Sequence, residues 1–174
     1  DGDPYTYQYT FKSGDVLAKV ERVEKLHVPP EVLQKINRIS DPRSIRAGQT
    51  VKMIRGPFHA VVNKGAFTMD LYLHREGCAP AFVKRLRVGL GKNGSTPLGL
   101  WRVKFGSKHP RAVWYPPPNA PDRHSIVWGE PGYPLGTKGY WIGLEGTDEA
   151  TKSFTGYGVH GTNDPASIGR SESL

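Results

Sequence analysis

The chain has 174 residues, 37% apolar and 23% charged, the balance of a folded globular protein rather than a disordered one. No apolar run approaches the roughly 18 residues of a membrane span, so no membrane-crossing segment is expected. The formal net charge is +8, spread as +3 on residues 1–56 and +5 on 57–174; such an excess is a solvated basic surface or draws in an anionic polymer, cell wall or nucleic acid alike.

From the start, Asp1-Gly2-Asp3-Pro4 is not a charged-then-apolar leader, and export is not read directly from it. Tyr7 to Lys12 alternate and are aromatic-rich, which predicts a strand. Ser13-Gly14-Asp15 predicts a turn, with Asp15 as a helix cap. Val16, Leu17, Val20, Val23 and Leu26 then recur at helical spacing. Pro29-Pro30 breaks the chain, and Pro30 suits the first turn of a second helix whose apolar face is Val32, Leu33 and Ile36. A polar stretch over 37–46 leads through Ala47-Gly48-Gln49 into a short strand, Thr50–Ile54. The predicted order is strand, helix, helix, strand.

That order, with Phe11-Lys-Ser-Gly-Asp-Val-Leu17, Ile36-Asn37, Ile39 and Ile45-Arg-Ala-Gly-Gln-Thr-Val51, resembles LysM domains. The resemblance implies an α+β (βααβ) module over residues 1–56 that binds N-acetylglucosamine-containing glycans. Its ligand loops fall on Ser13, Gly14, Asp15 and Val16, and on Ile39, Ser40 and Asp41. Gly14, Asp15 and Asn37 are also ordinary turn and cap residues, so a non-binding spacer stays open.

Gly56-Pro57 marks the junction to a second domain, 57–174. His59–Asn63, a turn at Lys64-Gly65 and Thr68–His74 alternate and predict a hairpin. Ala81–Val88 and Gly99–Phe105 are further strands, with a Gly-rich segment from Gly89 to Pro97 between them. Residues 106–140, dense in Pro, Gly and aromatics, predict a long, partly ordered insertion. Trp141–Leu144 and Gly156–His160 complete the strands. No helix of convincing length is expected here, so this half is read as a β-sandwich or open barrel.

Several elements of this half, in order, resemble YkuD-type L,D-transpeptidases: the hairpin with Val61-Val-Asn-Lys64, Val88-Gly-Leu-Gly91 with Ser95-Thr-Pro97, Pro134-Leu-Gly-Thr137 before Trp141-Ile-Gly-Leu144, and His160-Gly-Thr-Asn163. That family cross-links or modifies peptidoglycan stem peptides through a cysteine thioester, and implies neither metal nor organic cofactor. In it the His precedes a Ser/Thr-His-Gly-Cys motif whose Cys is the nucleophile. Ser173 falls on the Ser of that motif and Leu174 on its His; the resemblance implies Gly and Cys at the two positions after Leu174, so the 174 residues as given lack the nucleophile and are expected to be inactive by themselves. A catalytically inactive peptidoglycan-binding protein is the alternative.

The chemistry fits those residue types. Cutting an amide and passing its acyl part to another amine proceeds through a thiolate, with an imidazole taking and returning the proton. By resemblance His160 is that base and Gly161 a candidate for the oxyanion hole. Ser173 orients His160, binds substrate or closes a turn. Asn163-Asp164-Pro165 is a turn signal. Cys78, in Arg75-Glu-Gly-Cys-Ala-Pro80, matches nothing around the family nucleophile and is read as a packing or turn residue. Trp101, Trp114, Tyr115, Trp128, Tyr133, Tyr140 and Trp141 are read as a β-rich core with a cover over a cleft. No nucleic-acid signature accompanies them, so nucleic acid is not the expected partner. The expected location is the periplasm, the cell wall or the secreted fraction.

Overall fold

The computed structural model describes residues 3–116 and 124–173. Their contacts form two compact units. The first runs to Val62 and includes Met69–Leu86; the second comprises Asn63–Thr68 and the residues from Arg87 onward.

The first unit opens with strand β1 (Thr6–Thr10), helix α1 (Leu17–Val23), helix α2 (Pro30–Ile36) and strand β2 (Thr50–Ile54). The order strand, helix, helix, strand is the predicted one. β1 and β2 pair antiparallel, Thr6 opposite Ile54 and Thr10 opposite Thr50. Between sheet and helices lies a core of Phe11, Leu17, Val20, Leu26, Val28, Leu33, Val51 and Met53. Both helices are only two turns long, so each buries a narrower stripe than the spacing predicts. Leu17 and Val20 are buried, but Val16 and Val23 are 59% and 65% exposed. In α2, Leu33 is buried and Ile36 exposed.

Asp15 is not the helix cap. Val16 holds that position without a side-chain bond. The Asp15 carboxylate sits one residue early and closes the preceding turn, accepting the Lys12 N–H at 2.9 Å and the Tyr9 hydroxyl at 2.8 Å. Asn37 does more than end α2. Its amide donates to the Leu33 and Lys52 carbonyls and accepts the Lys52 N–H at 2.7 Å, tying the helix to β2.

Strands β3 (Phe58–Asn63), β4 (Thr68–Leu73) and β5 (Ala81–Arg87) follow in a sheet of order β3-β4-β5. Asn63 closes the predicted hairpin turn by accepting the Ala66 N–H at 3.0 Å. Asp70 and Arg85 pair through both carboxylate oxygens at 2.7 Å. Cys78 is a free thiol in the turn before β5, its N–H bonded to the Arg75 carbonyl.

In the second unit β6 (Trp101–His109), β7 (Trp141–Gly146) and β8 (Gly158–His160) form an antiparallel sheet in that order. β6 runs four residues beyond the predicted Phe105, through an irregularity between Val103 and Lys108. Ser107 inside it is buried and donates to the Lys104 and Gly143 carbonyls. The expected insertion is therefore in part a strand. Within it, Trp114 bridges to Ile126, and Trp114, Tyr133 and Leu135 form a small core; residues 117–123 lie outside the described residues. The aromatic set divides: Trp114 and Tyr133 are buried, whereas Tyr115 is 72% exposed. No α-helix occurs in this unit among the described residues, and the architecture is mainly β as read from the sequence.

Candidate active site

His160 ends β8, in register with Trp141 at the start of β7. Directly opposed residues on a sheet share a face, and here the two rings lie parallel, 8° apart in plane with centroids 5.4 Å apart. Gly158 leaves room for that ring: a Cβ there would meet the Trp141 indole at 2.6 Å. The stack fixes the imidazole plane.

Hydrogen bonds then fix its tautomer. His160 Nδ1 lies 2.8 Å from the Gly161 carbonyl oxygen. A carbonyl only accepts, so Nδ1 carries a proton; in the neutral ring Nε2 is then the nitrogen with the lone pair. Ser173 Oγ lies 3.2 Å from Nε2, and to the neutral ring its hydroxyl is the donor. The ring thus turns Nε2 toward the segment ending at Ser173.

Backbone hydrogen bonds hold that segment in place. The Gly169 N–H donates to the Val88 carbonyl, the Leu90 N–H to Arg170, the Ser173 N–H to Leu90, and the Lys92 N–H to Ser173, the last at 2.7 Å. The Gly-rich run after β5 and the tail thus zip together, with Gly91 and Ser173 in a parallel bridge. Asp164 caps a short 3-10 turn, Pro165–Ser167, by accepting the Ala166 N–H at 3.0 Å. Gly161 packs so closely over Leu135 that a Cβ would meet its carbonyl oxygen at 2.5 Å. Its N–H points at the Tyr140 carbonyl, 3.4 Å away, and its own carbonyl holds the imidazole.

The structure thus brings His160, Gly161 and Ser173 together. Leu174, expected at the motif His position, lies outside the described residues. Trp141 and the 88–92 segment were not assigned to the site from the sequence. The signal was present only as family-like motifs, and the register that joins them is nonlocal. No group of His, Cys, Asp and Glu suited to hold a metal occurs among the described residues.

The residues expected to bind glycan sit on two surface loops of the first unit. Ser13, Gly14 and Val16 are exposed, with Asp15 half-buried and committed to Lys12 and Tyr9. The latter two bonds hold its carboxyl below the usual carboxylate range, the backbone N–H first. Ile39 packs against the core, Ser40 is exposed, and Asp41 accepts the Arg43 N–H and guanidinium. A separate cavity of about 390 Å³ in this unit, lined by Asp3, Tyr5, Tyr7, Arg55, His74 and Arg75 among others, contains none of them.

A mainly-β domain that presents an oriented imidazole beside a pinned chain segment has the makings of an acyl-transfer catalyst. Comparison with known families gives the class its name: the L,D-transpeptidase catalytic domain, YkuD, matches residues 57–173, and the chain belongs to that family. The family acts on peptidoglycan, which suggests a place outside the cytoplasm. No LysM match was found for the N-terminal part. No curated protein and no solved structure matches the chain. No helix among the described residues is long and apolar enough to cross a membrane.

Proposed function

We propose that residues 57–174 form the catalytic part of a cell-wall L,D-transpeptidase in which His160 is the general base, and that residues 1–56 are a LysM-like module that holds glycan. The observation that carries the enzymatic reading is the commitment of His160 Nδ1–H to the Gly161 carbonyl, which makes Nε2, within reach of the Ser173 hydroxyl, the nitrogen that takes a proton. The nucleophilic thiol lies, in this reading, two positions after Leu174, on the strand of chain that Ser173 begins to lay beside the ring.

The thiol gives its proton to Nε2 and the thiolate attacks the carbonyl of a donor stem peptide. The C–N bond breaks as the imidazolium returns that proton to the leaving amine, releasing a D-amino acid. An acceptor amine then attacks the thioester, gives its proton to Nε2, and the thiolate departs. Gly161 serves this cycle through its carbonyl, which stabilises the imidazolium that forms. Trp141 keeps the ring from rotating away. For the N-terminal part, the βααβ order and a core of its own support the glycan reading, with Ser13–Val16 and Ile39–Asp41 as the contact loops.

The test is acyl-enzyme mass spectrometry on a protein that continues past Leu174, incubated with a stem tetrapeptide. The expected adduct maps to a cysteine in the tail, and His160→Ala slows its formation on the order of 10²- to 10⁴-fold. An adduct on Cys78 sinks this mechanism. No adduct at all leaves the alternative, an inactive peptidoglycan-binding protein. Binding of N-acetylglucosamine oligomers that survives substitution of both loops would remove the glycan assignment.

A further inference from the structure

One row of side chains crosses the second sheet at the end where His160 sits. His109 on β6 is opposite Trp141 on β7, and Trp141 is opposite His160 on β8. Neighbouring strands lie about 4.8 Å apart, so the chain leaving β6 and the chain entering β7 both pass close to the imidazole's end of the sheet.

Both of these chain segments carry cations. Lys108, opposite Ile142 and so on the sheet face away from Trp141 and His160, holds its ammonium 5.8 Å from the centre of the Tyr140 ring, whereas the Arg111 guanidinium lies 4.5 Å over Trp128. The Arg111 N–H donates to the Lys138 carbonyl at 3.4 Å and the Ala112 N–H to Gly139 at 2.9 Å, which sets Lys138 beside Arg111. Lys108, Arg111 and Lys138 are all exposed. None pairs with an acidic side chain among the described residues, whereas Arg102, also on β6, is spent on Glu145. Glu130, two residues from Trp128, accepts the Val127 N–H instead.

The platform under Arg111 is built. Trp128 is anchored by its Nε1–H to the Thr137 carbonyl at 3.1 Å. Gly139 gives it space, since a Cβ there would meet both the indole and the Tyr133 hydroxyl at 2.7 Å. A guanidinium lying on an aromatic face keeps its N–H edge free, and that edge matches a carboxylate through two parallel hydrogen bonds.

We propose that Arg111, with Lys138 beside it, forms a carboxylate-recognition rim that holds an acidic stem peptide of peptidoglycan at the end of the sheet that carries His160. The identity of the ligand rests on the transpeptidase reading above. One guanidinium fork with a point charge beside it suits the few carboxylates of a short peptide; a polyanion is held by a longer track of phosphate contacts.

The test is an NMR titration of the 174-residue chain with an N-acetylated stem tetrapeptide bearing free carboxylates, against the same peptide with every carboxylate amidated. Amide shifts are expected at residues 108–112 and 137–141, with the amidated peptide bound about tenfold more weakly or worse, the loss of one charge-assisted hydrogen bond. Arg111→Gln combined with Lys138→Gln should weaken the free-carboxylate peptide by a similar factor, and Arg111→Lys should recover only part because the fork is gone. Should the double variant not fold, Lys138→Gln alone, whose side chain makes no hydrogen bond, is expected to weaken binding several-fold.

Equal binding of the amidated peptide, or wild-type affinity in a folded variant, overturns the proposal. Displacement of the peptide by polyphosphate at lower concentration overturns it too, and assigns the surface to a phosphate polymer. Binding needs no thiol. Failure of the acyl-enzyme experiment with an intact rim therefore counts against the transpeptidase chemistry, and the reverse outcome counts only against the rim.

Discussion

The first fifty-odd residues and the region from Arg87 onward keep their structures by different means. The N-terminal segment buries eight apolar side chains in one cluster, with Leu26, Leu33 and Met53 fully out of solvent. Among the described residues the later region has a core cluster of three, and leaves Leu98, Leu100, Val103 and Phe105 largely exposed. What orders its site is a chain of backbone hydrogen bonds from 88–92 to 169–173, glycines at close approaches, and one ring stack. Apolar burial is non-directional and tolerates small shifts of position, whereas hydrogen bonds and ring planes fix an angle. A stable module and a precise base thus draw on different terms.

The contrast predicts where substitutions hurt. Leu33→Ala should cost about 2–5 kcal/mol of stability by chemical denaturation, the usual cost of a cavity in a packed core. Phe105→Ser, at a side chain 101% exposed, should change it by no more than about 0.5 kcal/mol. Equal effects at the two positions would erase the distinction.

Gly158→Ala should be next in size. The added methyl overlaps the Trp141 ring and forces it to move, at about 1–3 kcal/mol. The sharper readout is the imidazole: the native ring should show the ¹⁵N signature of an Nδ1–H tautomer, and Gly158→Ala should lose it. An unchanged tautomer would mean that the Gly161 carbonyl alone holds the ring.

Removing the Asn37 bridge comes next. Asn37→Ala leaves the Lys52 N–H and carbonyl without their partners and should cost about 1–3 kcal/mol. Residues 1–56, which contain the whole eight-residue core, should give a dispersed amide spectrum when expressed alone; a random-coil spectrum would move the domain boundary.

The smallest effect concerns acid. The Lys12 N–H and then the Tyr9 hydroxyl stabilise ionised Asp15, so its folded pKa lies below the unfolded value. The contribution is present above the unfolded value, near 3.9, and fades as pH falls through the folded one. Asp15→Asn should lower stability slightly near neutrality and flatten the acid limb of a stability–pH curve, so that variant and native curves converge at low pH. Cys78→Ser should leave acyl transfer unchanged, since the thiol sits in a turn of the first unit.

Much was legible in the residues themselves. Alternation and 3.6-residue spacing are local properties, so the βααβ order, the 58–73 hairpin and the strand at 50–54 could be read in advance. Pro30 marked the start of α2 because its ring suits a helix's first turn. Asp15 misled for a physical reason: a carboxylate can cap a helix or close the turn before it, and a one-residue offset decides which. The exposure of Val16, Val23 and Ile36 was likewise invisible, because spacing gives a face but not how many turns survive to bury it. His160, Gly161 and Ser173 could be named, and their chemistry stated, from residue type and motif. Their arrangement could not. The parallel Trp141 ring and the pinning of Ser173 to Leu90 and Lys92 join residues 19 to 83 positions apart. Those are set by strand register and backbone pairing, which arise only when the chain closes on itself.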